Sequence, residues 1–335
     1  MFRVATFNLE NLDDGPDADP PLGERLAVLR PQLLRLRADV LCLQEVNAQK
    51  VAGQRVRSLA ALDALLAGTP LAEFHRAATL GPSGSGPADA HNLVVLSRFP
   101  IVATAQHLHD LVPAPSHRMT TAEPPGDSPA PVRWDRPALA CELALPEGRV
   151  LHVINVHFKA PLAANVPGQK LAPFVWRSVP GWAEGMFLAS VKRAGQAFET
   201  RLVVDRLFDR EPEALVAVCG DVNADEGELP VRMLIADEME TGNGALAPRA
   251  LVALERSVPE SQRFTVVHHG RRQMLDHVLV SRALMGWLRS VEIHNEDLGD
   301  EFAMHLGVRH APESLHAPVV ATFADPSRTE GEAAP

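Results

Sequence analysis

The feature that most constrains the fold of this chain is a series of short apolar segments, several of which end in a polar residue. These segments predict strands at Phe2–Phe7, Val40–Leu43, Leu93–Leu96, Leu139–Leu145, Val150–Val156, Leu215–Cys219, Phe264–Val267, Leu275–Val280 and Pro318–Phe323. The polar residues at or near their ends are Asn8, Gln44, Glu45, His157, Asp221, Asn223, Asp276 and His316. A single residue of this kind is usually a turn former or a helix cap. Because buried carboxylates are costly unless they are paired or metal-bound, the recurrence favours one site built from distant strand ends.

Spacing within the strands indicates which side chains point the same way. Residues two apart in a strand share a face, so Asn155 and His157 are expected on one side of their strand. Asp221 and Asn223 share a face if the strand continues through Gly220. A glycine at position 220 would also let backbone or substrate approach closely.

Helices alternate with the strands and indicate one α/β unit. Leucine periodicity predicts helices at Leu22–Arg37 and Gln54–Leu66, and an apolar face predicts a third over Gly185–Phe208. No linker separates two cores, so residues 1–324 are interpreted as one domain. The last residues, Asp325–Pro335, lack large apolar side chains and are expected to form a disordered tail.

Charge and cysteine content restrict the function and the compartment. The net charge is −10 over 335 residues, which argues against tight, non-specific binding of nucleic acid through bulk electrostatics. The cysteines Cys42, Cys141 and Cys219 each lie in an apolar strand-like segment, as buried thiols in a reducing cytoplasm would. The sequence shows neither a signal-peptide pattern nor an apolar run of membrane-spanning length, so a cytoplasmic location without a membrane partner is expected.

Taken in order, the motifs resemble those of the endonuclease/exonuclease/phosphatase (DNase I-like) superfamily. The matching segments extend over nearly the whole chain and are Thr6-Phe-Asn-Leu9, Leu43-Gln-Glu-Val46, Asn92-Leu-Val-Val-Leu-Ser-Arg-Phe-Pro-Ile101, Arg136-Pro-Ala-Leu139, Asn155-Val-His-Phe-Lys159, Gly220-Asp-Val-Asn-Ala224, Leu275-Asp-His-Val-Leu-Val-Ser281 and His316-Ala-Pro-Val-Val320. The resemblance implies an α+β fold, a four-layer αββα sandwich with two mixed β-sheets packed face to face and helices outside. It also implies hydrolysis of phosphodiesters or phosphomonoesters with Mg²⁺ or Mn²⁺ at one edge of the sandwich.

The resemblance further implies which residues hold the metal and the water. Glu45 resembles the main metal carboxylate, with Asn8 beside it and Asp221 as a further metal contact. Asp221 and Asn223 are similar to the pair that orients the attacking water and the phosphate. Oxygen ligands of this kind suit Mg²⁺, which prefers oxygen and keeps several of its waters.

A second set of residues resembles the family's proton-transfer and substrate groups. Asp276 is similar to the carboxylate that polarises the final histidine, and His316 matches that histidine. A neighbouring anion fixes the tautomer of a histidine and raises its pKa, so His316 would hold a phosphate oxygen or act as a general acid or base. His157 resembles the second active-site histidine of the DNase I-like branch. The residues expected to contact substrate are Asn155, Arg136 and Lys159.

One position departs from the family pattern. The residue directly before the last histidine is usually Asp, and here it is Leu315. Leucine can neither bind metal nor accept a hydrogen bond. Either one metal suffices, or Glu313 or another carboxylate substitutes, or activity is low, and the favoured hypothesis is a single dominant metal near Glu45.

Three functions remain open at this point. The leading hypothesis is a phosphodiesterase or nuclease that cuts P–O bonds by attack of water, with a phosphoester substrate that includes nucleic acid. The alternatives are a phosphomonoesterase acting on inositol- or lipid-type head groups and a binding protein that kept the fold but lost the metal chemistry. The His268–Arg272 segment predicts a hairpin tip that either contacts substrate or is a solvated turn. The oligomeric state is open, with a monomer as the default expectation.

Overall fold

Two mixed β-sheets, packed face to face between helices, form the fold. The computed structural model describes residues 1–16, 18–51, 53–302 and 311–326. Within these ranges the strands are β1 (Phe2–Leu12), β2 (Val40–Val46), β3 (His75–Ala78), β4 (Asn92–Ser97), β5 (Ile101–His107), β6 (Ser116–His117), β7 (Ala130–Pro131), β8 (Ala138–Ala144), β9 (Val150–His157), β10 (Lys170–Ala172), β11 (Val175–Trp176), β12 (Leu215–Asp221), β13 (Leu251–Ala253), β14 (Val266–His268), β15 (Arg271–Gln273), β16 (Asp276–Ser281), β17 (Leu288–Ile293) and β18 (Val319–Phe323). The α-helices are α1 (Leu22–Leu36), α2 (Ala60–Leu66), α3 (Val179–Arg210), α4 (Leu229–Ile235), α5 (Glu238–Thr241) and α6 (Arg282–Met285).

Each large sheet has six strands and contains one parallel pair. The first sheet has the order β17-β18-β1-β2-β4-β3, and the second has the order β13-β16-β12-β9-β8-β5. The parallel pairs are β1–β2 and β9–β12, whereas the other neighbours run antiparallel. The β9–β12 pair ends on His157 and Asp221, and in the β1–β2 pair Asn8 aligns with Gln44. Parallel strands bring their carboxyl ends to one edge, so these residues lie at the same edge of their sheets.

Alternation along the strands divides the apolar residues between the inner and outer faces of the sheets. Inward-facing residues such as Val4, Val153 and Val278 form one buried cluster between the two sheets. On the outer face of the first sheet, β1 and β2 pack against α1 and α2 through a second cluster. On the outer face of the second sheet, α3 and α4 cover β9 and β12 through a third. The predicted four-layer α+β sandwich is therefore confirmed.

The cysteines agree with the expectation of buried thiols. Cys42, Cys141 and Cys219 are free, and all three lie in the cluster between the sheets. No helix among the described residues is long and apolar enough to cross a membrane. Of the predicted tail, residues 327–335 lie outside the described residues, so that prediction stays a prediction.

Two of the three predicted helices begin at different residues in the structure. The helix predicted from Gln54 begins at Ala60, because Ser58 is hydrogen-bonded to the backbone of Gln49 and the Gln49 side chain accepts from the Ala61 N–H. The third helix begins at Val179, where Ser178 provides a side-chain N-cap.

The predicted hairpin at residues 268–272 is present as β14 and β15. Arg272 lies over the ring of Phe264, with its guanidinium carbon 4.5 Å from the ring centroid. It also donates a hydrogen bond to the carbonyl of Ser261. This arginine therefore packs back against its own chain.

Candidate active site

The register of the second sheet places three predicted site residues side by side. His157 aligns with Asp221 in the parallel pair β9–β12, and Asp221 aligns with Asp276 in the antiparallel pair β12–β16. Gly220 permits this arrangement, because it has a φ of +141° and a Cβ there would overlap the carbonyl oxygen of Val156. The close approach of backbone at this glycine, expected from the sequence, is what the structure shows.

The first sheet delivers Glu45 to the same edge. The β2 ladder shifts between Leu43 and Val46, and Glu45 has a left-handed φ of +57°. Its Oε2 accepts from the backbone N–H of Asn11 at 3.0 Å. Its Oε1 lies 3.5 Å from His157 Nε2, which joins the two sheets at this point.

Asn8 connects the carboxylates of the two sheets. Its Nδ2 lies 3.1 Å from Asp221 Oδ2 and 3.3 Å from Glu45 Oε1, while its Oδ1 accepts from the backbone N–H of Glu10 at 2.9 Å. The amide nitrogen therefore faces the carboxylates, and the amide oxygen is used by the backbone. In this orientation the Asn8 amide nitrogen positions two carboxylates, and metal binding by Asn8 stays a prediction.

Asp221 and Asn223 form the expected pair. The Asn223 backbone N–H donates to Asp221 Oδ1 at 2.8 Å, and Asn223 Nδ2 donates to Asp221 Oδ2 at 3.0 Å and to the carbonyl of Phe158 at 3.2 Å. Burial and the neighbouring negative charge of Asp276 raise the pKa of Asp221 to about 7. Close to neutral pH this carboxylate is therefore poised to accept a proton.

The final histidine is paired as the sequence predicts. His316 Nδ1 lies 2.8 Å from Asp276 Oδ2, and the loop before it is tied to β1 because Ser314 Oγ donates to the carbonyl of Asn8. Burial alone would lower the pKa of His316, but the Asp276 carboxylate outweighs burial and raises the pKa well above its usual range. The buried Oδ1 of Asp276 has no protein partner among the described residues.

His157 differs electrostatically from His316. Burial and the positive charge of Arg136 hold the pKa of His157 well below its usual range. Its Nε2 lies 3.4 Å from Asp221 Oδ2, and its buried Nδ1 has no protein partner within the described residues. The surroundings therefore favour a neutral His157 and a protonated His316.

Of the three predicted substrate-binding residues, Asn155 is the one that has no solvent exposure. It is fully buried between the sheets, where its Nδ2 donates to the carbonyls of Leu43 and Val94, both at 3.0 Å. Its Oδ1 accepts from Gln44 Nε2 at 2.7 Å. Both polar atoms of the Asn155 side chain are bonded within the protein, so Asn155 ties the sheets together and has no polar side-chain atom free for a substrate.

Lys159 lies beside the site on the segment that follows β9. Its backbone N–H donates to Gln196 Oε1 at 2.7 Å, and its carbonyl accepts from Arg193 at 3.2 Å. Burial lowers the pKa of its ammonium group. The long helix α3 therefore fixes the backbone that carries this lysine.

Arg136 lies beside the site and contacts His91, a residue that the sequence did not single out. Its Nε and Nη2 donate to the carbonyls of His157 and Phe158 at 3.2 and 3.0 Å. Its Nη1 lies 2.6 Å from Nδ1 of His91, whose ring is parallel to that of His157 with centroids 6.0 Å apart. His91 follows a Gly- and Ser-rich loop, and only the tertiary contact shows its importance.

Glu10 is the second residue that the sequence did not single out. Its Oε2 accepts from the backbone N–H of Leu315 at 2.7 Å, and burial raises its pKa. His316 and Glu45 are close enough to influence that pKa. Glu10 therefore places a carboxylate next to Leu315, the position at which the family usually has an aspartate.

Two groups of side chains have the composition and spacing to hold a divalent cation. They are Glu45 with His91 and His157, and Asp221 with Asp276 and His316, and within each group one possible ligand atom per residue lies within 4.8 Å of the others. The buried carboxylates Asp221 and Asp276 repel one another, and Asp276 Oδ1 has no protein partner among the described residues. A divalent cation bound to Asp221 would relieve this repulsion, so the donor set fits a metal.

Comparison with known proteins agrees with the fold and identifies the family. The family model described as the endonuclease/exonuclease/phosphatase family matches residues 5–298. The chain belongs to this family. A comparison with curated proteins gave no match.

Solved structures with the same fold extend over nearly the whole chain. The 3′ phosphatase NExo from Neisseria, bound to a product DNA hairpin, has 18% identity and a TM-score of 0.53, and the alignment covers 97% of this chain and 100% of that one. A humanized D. rerio TDP2 has 13% identity, a TM-score of 0.56 and coverage of 97% and 99%. A protein of the same family from Bacteroides vulgatus has 16% identity, a TM-score of 0.54 and coverage of 96% and 97%.

Proposed function

We propose that this protein is a divalent-metal-dependent phosphoesterase that hydrolyses phosphodiesters by attack of water. The observation that carries the proposal is the alignment of His157, Asp221 and Asp276 across three adjacent strands, with His316 paired to Asp276. Family membership supports the reaction class. The three buried free cysteines support a cytoplasmic location.

The metal of the proposal is Mg²⁺ or Mn²⁺. Glu45 and Asp221 would hold it, because their oxygens face one another across Asn8 Nδ2 and His157 Nε2. When bound, the cation would neutralise phosphate charge and stabilise the charge that develops as the P–O bond breaks.

The protein's own residues supply orientation and proton transfer. Asp221, fixed by Asn223, would orient the attacking water and accept its proton. His316, kept protonated by Asp276, would donate to a phosphoryl oxygen. His157 remains neutral next to two carboxylates, so it can donate a hydrogen bond without adding charge.

Nucleic acid is one candidate substrate class. The fold neighbours include a 3′ phosphatase bound to a DNA hairpin, which supports a DNA end as substrate, either as a diester or as a terminal monoester. The net charge of −10 disfavours binding along a long duplex. A phosphomonoesterase remains the second candidate function, and a monomer is the proposed state.

Hydrolysis of two chromogenic substrates tests the proposal. Bis-p-nitrophenyl phosphate reports on diesters, and p-nitrophenyl phosphate reports on monoesters. Turnover is expected with Mg²⁺ or Mn²⁺, is expected to disappear with EDTA, and should return when metal is restored. Faster turnover of the monoester would favour the phosphatase, and no metal-dependent turnover of either substrate would refute the enzyme.

A further inference from the structure

Arg136 fixes the protonation of a histidine beside the proposed metal carboxylate. A guanidinium carries only N–H donors and stays charged, so it cannot accept a hydrogen bond. Its Nη1 lies 2.6 Å from His91 Nδ1, and that nitrogen must therefore carry a lone pair. The remaining ring proton of His91 then resides on Nε2, and the imidazole is neutral.

The backbone holds His91 in an uncommon conformation. Its φ is +58°, a left-handed value that residues other than glycine seldom adopt, and its N–H donates to Asn47 Oδ1 at 2.9 Å. The next residue, Asn92, bonds to both the N–H and the C=O of Ala88 and to the carbonyl of Val46. An uncommon backbone conformation that is held in place by several hydrogen bonds is typical of a functional position.

His91 lies close to Glu45 and His157 of the candidate site. One of its ring nitrogens lies within 4.8 Å of a ligand atom of Glu45 and of a ring nitrogen of His157. The two imidazole rings are parallel within 9°. Unlike His157, His91 is only partly buried, so a substrate can reach it.

We propose that His91 is a further substrate-binding residue, which donates its Nε2–H to an oxygen of the bound phosphoester. Arg136 is the positioning residue that holds His91 in this tautomer. The inference rests on the proposed phosphoesterase function for the identity of the substrate. A neutral donor suits this place, because it can bind a phosphoryl oxygen without competing with the cation for Glu45.

The hydrogen bond to Arg136 also indicates whether the His91 ring binds substrate or metal. A metal ligand needs a free lone pair, but that of Nδ1 faces Arg136 and Nε2 carries the proton. A cation on Nδ1 would also lie beside the guanidinium charge. His91 is therefore assigned to substrate, with metal binding by His91 as the opposing outcome of the test.

The tautomer is measured without any turnover. Long-range ¹H–¹⁵N correlation spectra of histidine-labelled protein distinguish a protonated ring nitrogen from an unprotonated one. We expect an unprotonated Nδ1 and a protonated Nε2 for His91, and a mixture of tautomers in Arg136→Met. Inorganic phosphate added with Mg²⁺ should shift the His91 Nε2–H signal. A protonated Nδ1 in the wild type, or no response to phosphate, would overturn the inference even if the protein proves to be an active phosphoesterase.

Three variants separate donation from packing and from metal binding. His91→Phe keeps an aromatic ring but loses the donor, and should lower kcat/KM for the diester roughly tenfold to a hundredfold. His91→Gln restores an N–H donor and should recover part of that loss. The exposed His75→Phe, on β3, is the matched control and should resemble wild type.

Metal dependence completes the test. The Mg²⁺ or Mn²⁺ concentration for half-maximal activity should stay the same in His91→Phe. A rise of tenfold or more would instead make His91 a metal ligand and overturn the proposal. If the wild type hydrolyses neither chromogenic substrate, the proposed function fails, and the spectra with phosphate still decide whether His91 binds a phosphoryl oxygen.

Discussion

His316 Nδ1 lies 2.8 Å from Oδ2 of Asp276, a carboxylate that is completely buried and has one oxygen without a protein partner among the described residues. The pair combines a strand residue with a residue 40 positions further along the chain. Such a contact fixes the tautomer of the imidazole and favours its charged form. The pair therefore presents a cationic donor at the edge of the sandwich.

Removal of this donor is expected to stop turnover without unfolding the protein. His316→Ala should lower kcat by about a hundredfold or more, because a donor to the developing phosphoryl charge is lost. Asp276→Asn should have a similar effect through the wrong tautomer. Activity is measured on the diester substrate, and folding is checked by circular dichroism.

The exposed His75→Ala provides the control for the loss of a histidine. It should keep wild-type kcat and KM. Near-normal turnover in His316→Ala would contradict the role assigned to His316.

Glu10 is the candidate replacement for the aspartate that the family usually has where this chain has Leu315. Its carboxylate accepts from the Leu315 N–H and lies near the metal carboxylate Glu45. We expect Glu10→Gln to lower kcat/KM roughly tenfold, an effect of about 1.4 kcal/mol, and to raise the metal concentration needed for half-maximal activity. Both effects follow if Glu10 contributes negative charge that attracts the cation.

Glu313 offers a matched comparison, because the sequence named it as a substitute for the missing aspartate. Glu313→Gln is expected to change activity and metal requirement little. If Glu313→Gln were the more damaging variant, Glu10 would not be the replacement carboxylate.

Sequence patterns were sufficient for the residues at strand ends. Asn8, Glu45, His157 and Asp221 follow an apolar stretch of a strand, and Asp276 begins a strand. The convergence of strand ends is a property of the sheet itself. For these residues, local sequence already contains the information that the fold uses.

Other features depend on contacts between distant parts of the chain. His91 contacts Arg136, which is 45 residues away, and Glu10 contacts Leu315, which is 305 residues away. The edge strand β5 was not predicted, since most of its residues are exposed and it therefore lacks a buried apolar face. No local sequence periodicity indicates such positions, because their contacts form only when distant parts of the chain pack together.

Asn155 illustrates a residue for which motif and structure give different roles. Its amide bonds the carbonyls of Leu43 and Val94 and the side chain of Gln44. Asn155→Leu would leave these buried groups unsatisfied, and we expect the free energy of unfolding to fall by about 3 kcal/mol. The folded fraction should keep much of its activity, because the Asn155 amide is buried and bonded within the protein.

Urea denaturation followed by circular dichroism measures this loss. The exposed Gln54→Leu is the control and should change stability by less than about 0.5 kcal/mol. Unchanged stability together with a hundredfold lower kcat would instead support a direct role of Asn155 in catalysis.

His277 and Glu255 form a buried ion pair behind the site, and it makes stability depend on pH. His277 Nδ1 contacts Glu255 Oε1, and His277 Nε2 donates to the carbonyl of Ala224 at 2.9 Å. Both ring nitrogens thus act as donors, as in an imidazolium. Burial opposes this charge, but Glu255 outweighs burial and raises the pKa of His277 to about 9.

Because the pKa of His277 is higher in the folded than in the unfolded chain, the pair stabilises the fold fully below about pH 6.5, the value for an unperturbed histidine. This contribution is lost as the pH rises from about 6.5 to about 9, with a slope of about 1.4 kcal/mol per pH unit. Glu255→Gln should remove that slope, so the difference in unfolding free energy between wild type and variant should shrink over this range. Urea denaturation at four pH values and constant metal concentration measures the difference, in which titrations of other groups cancel. A difference independent of pH would show that His277 is neutral in the folded protein.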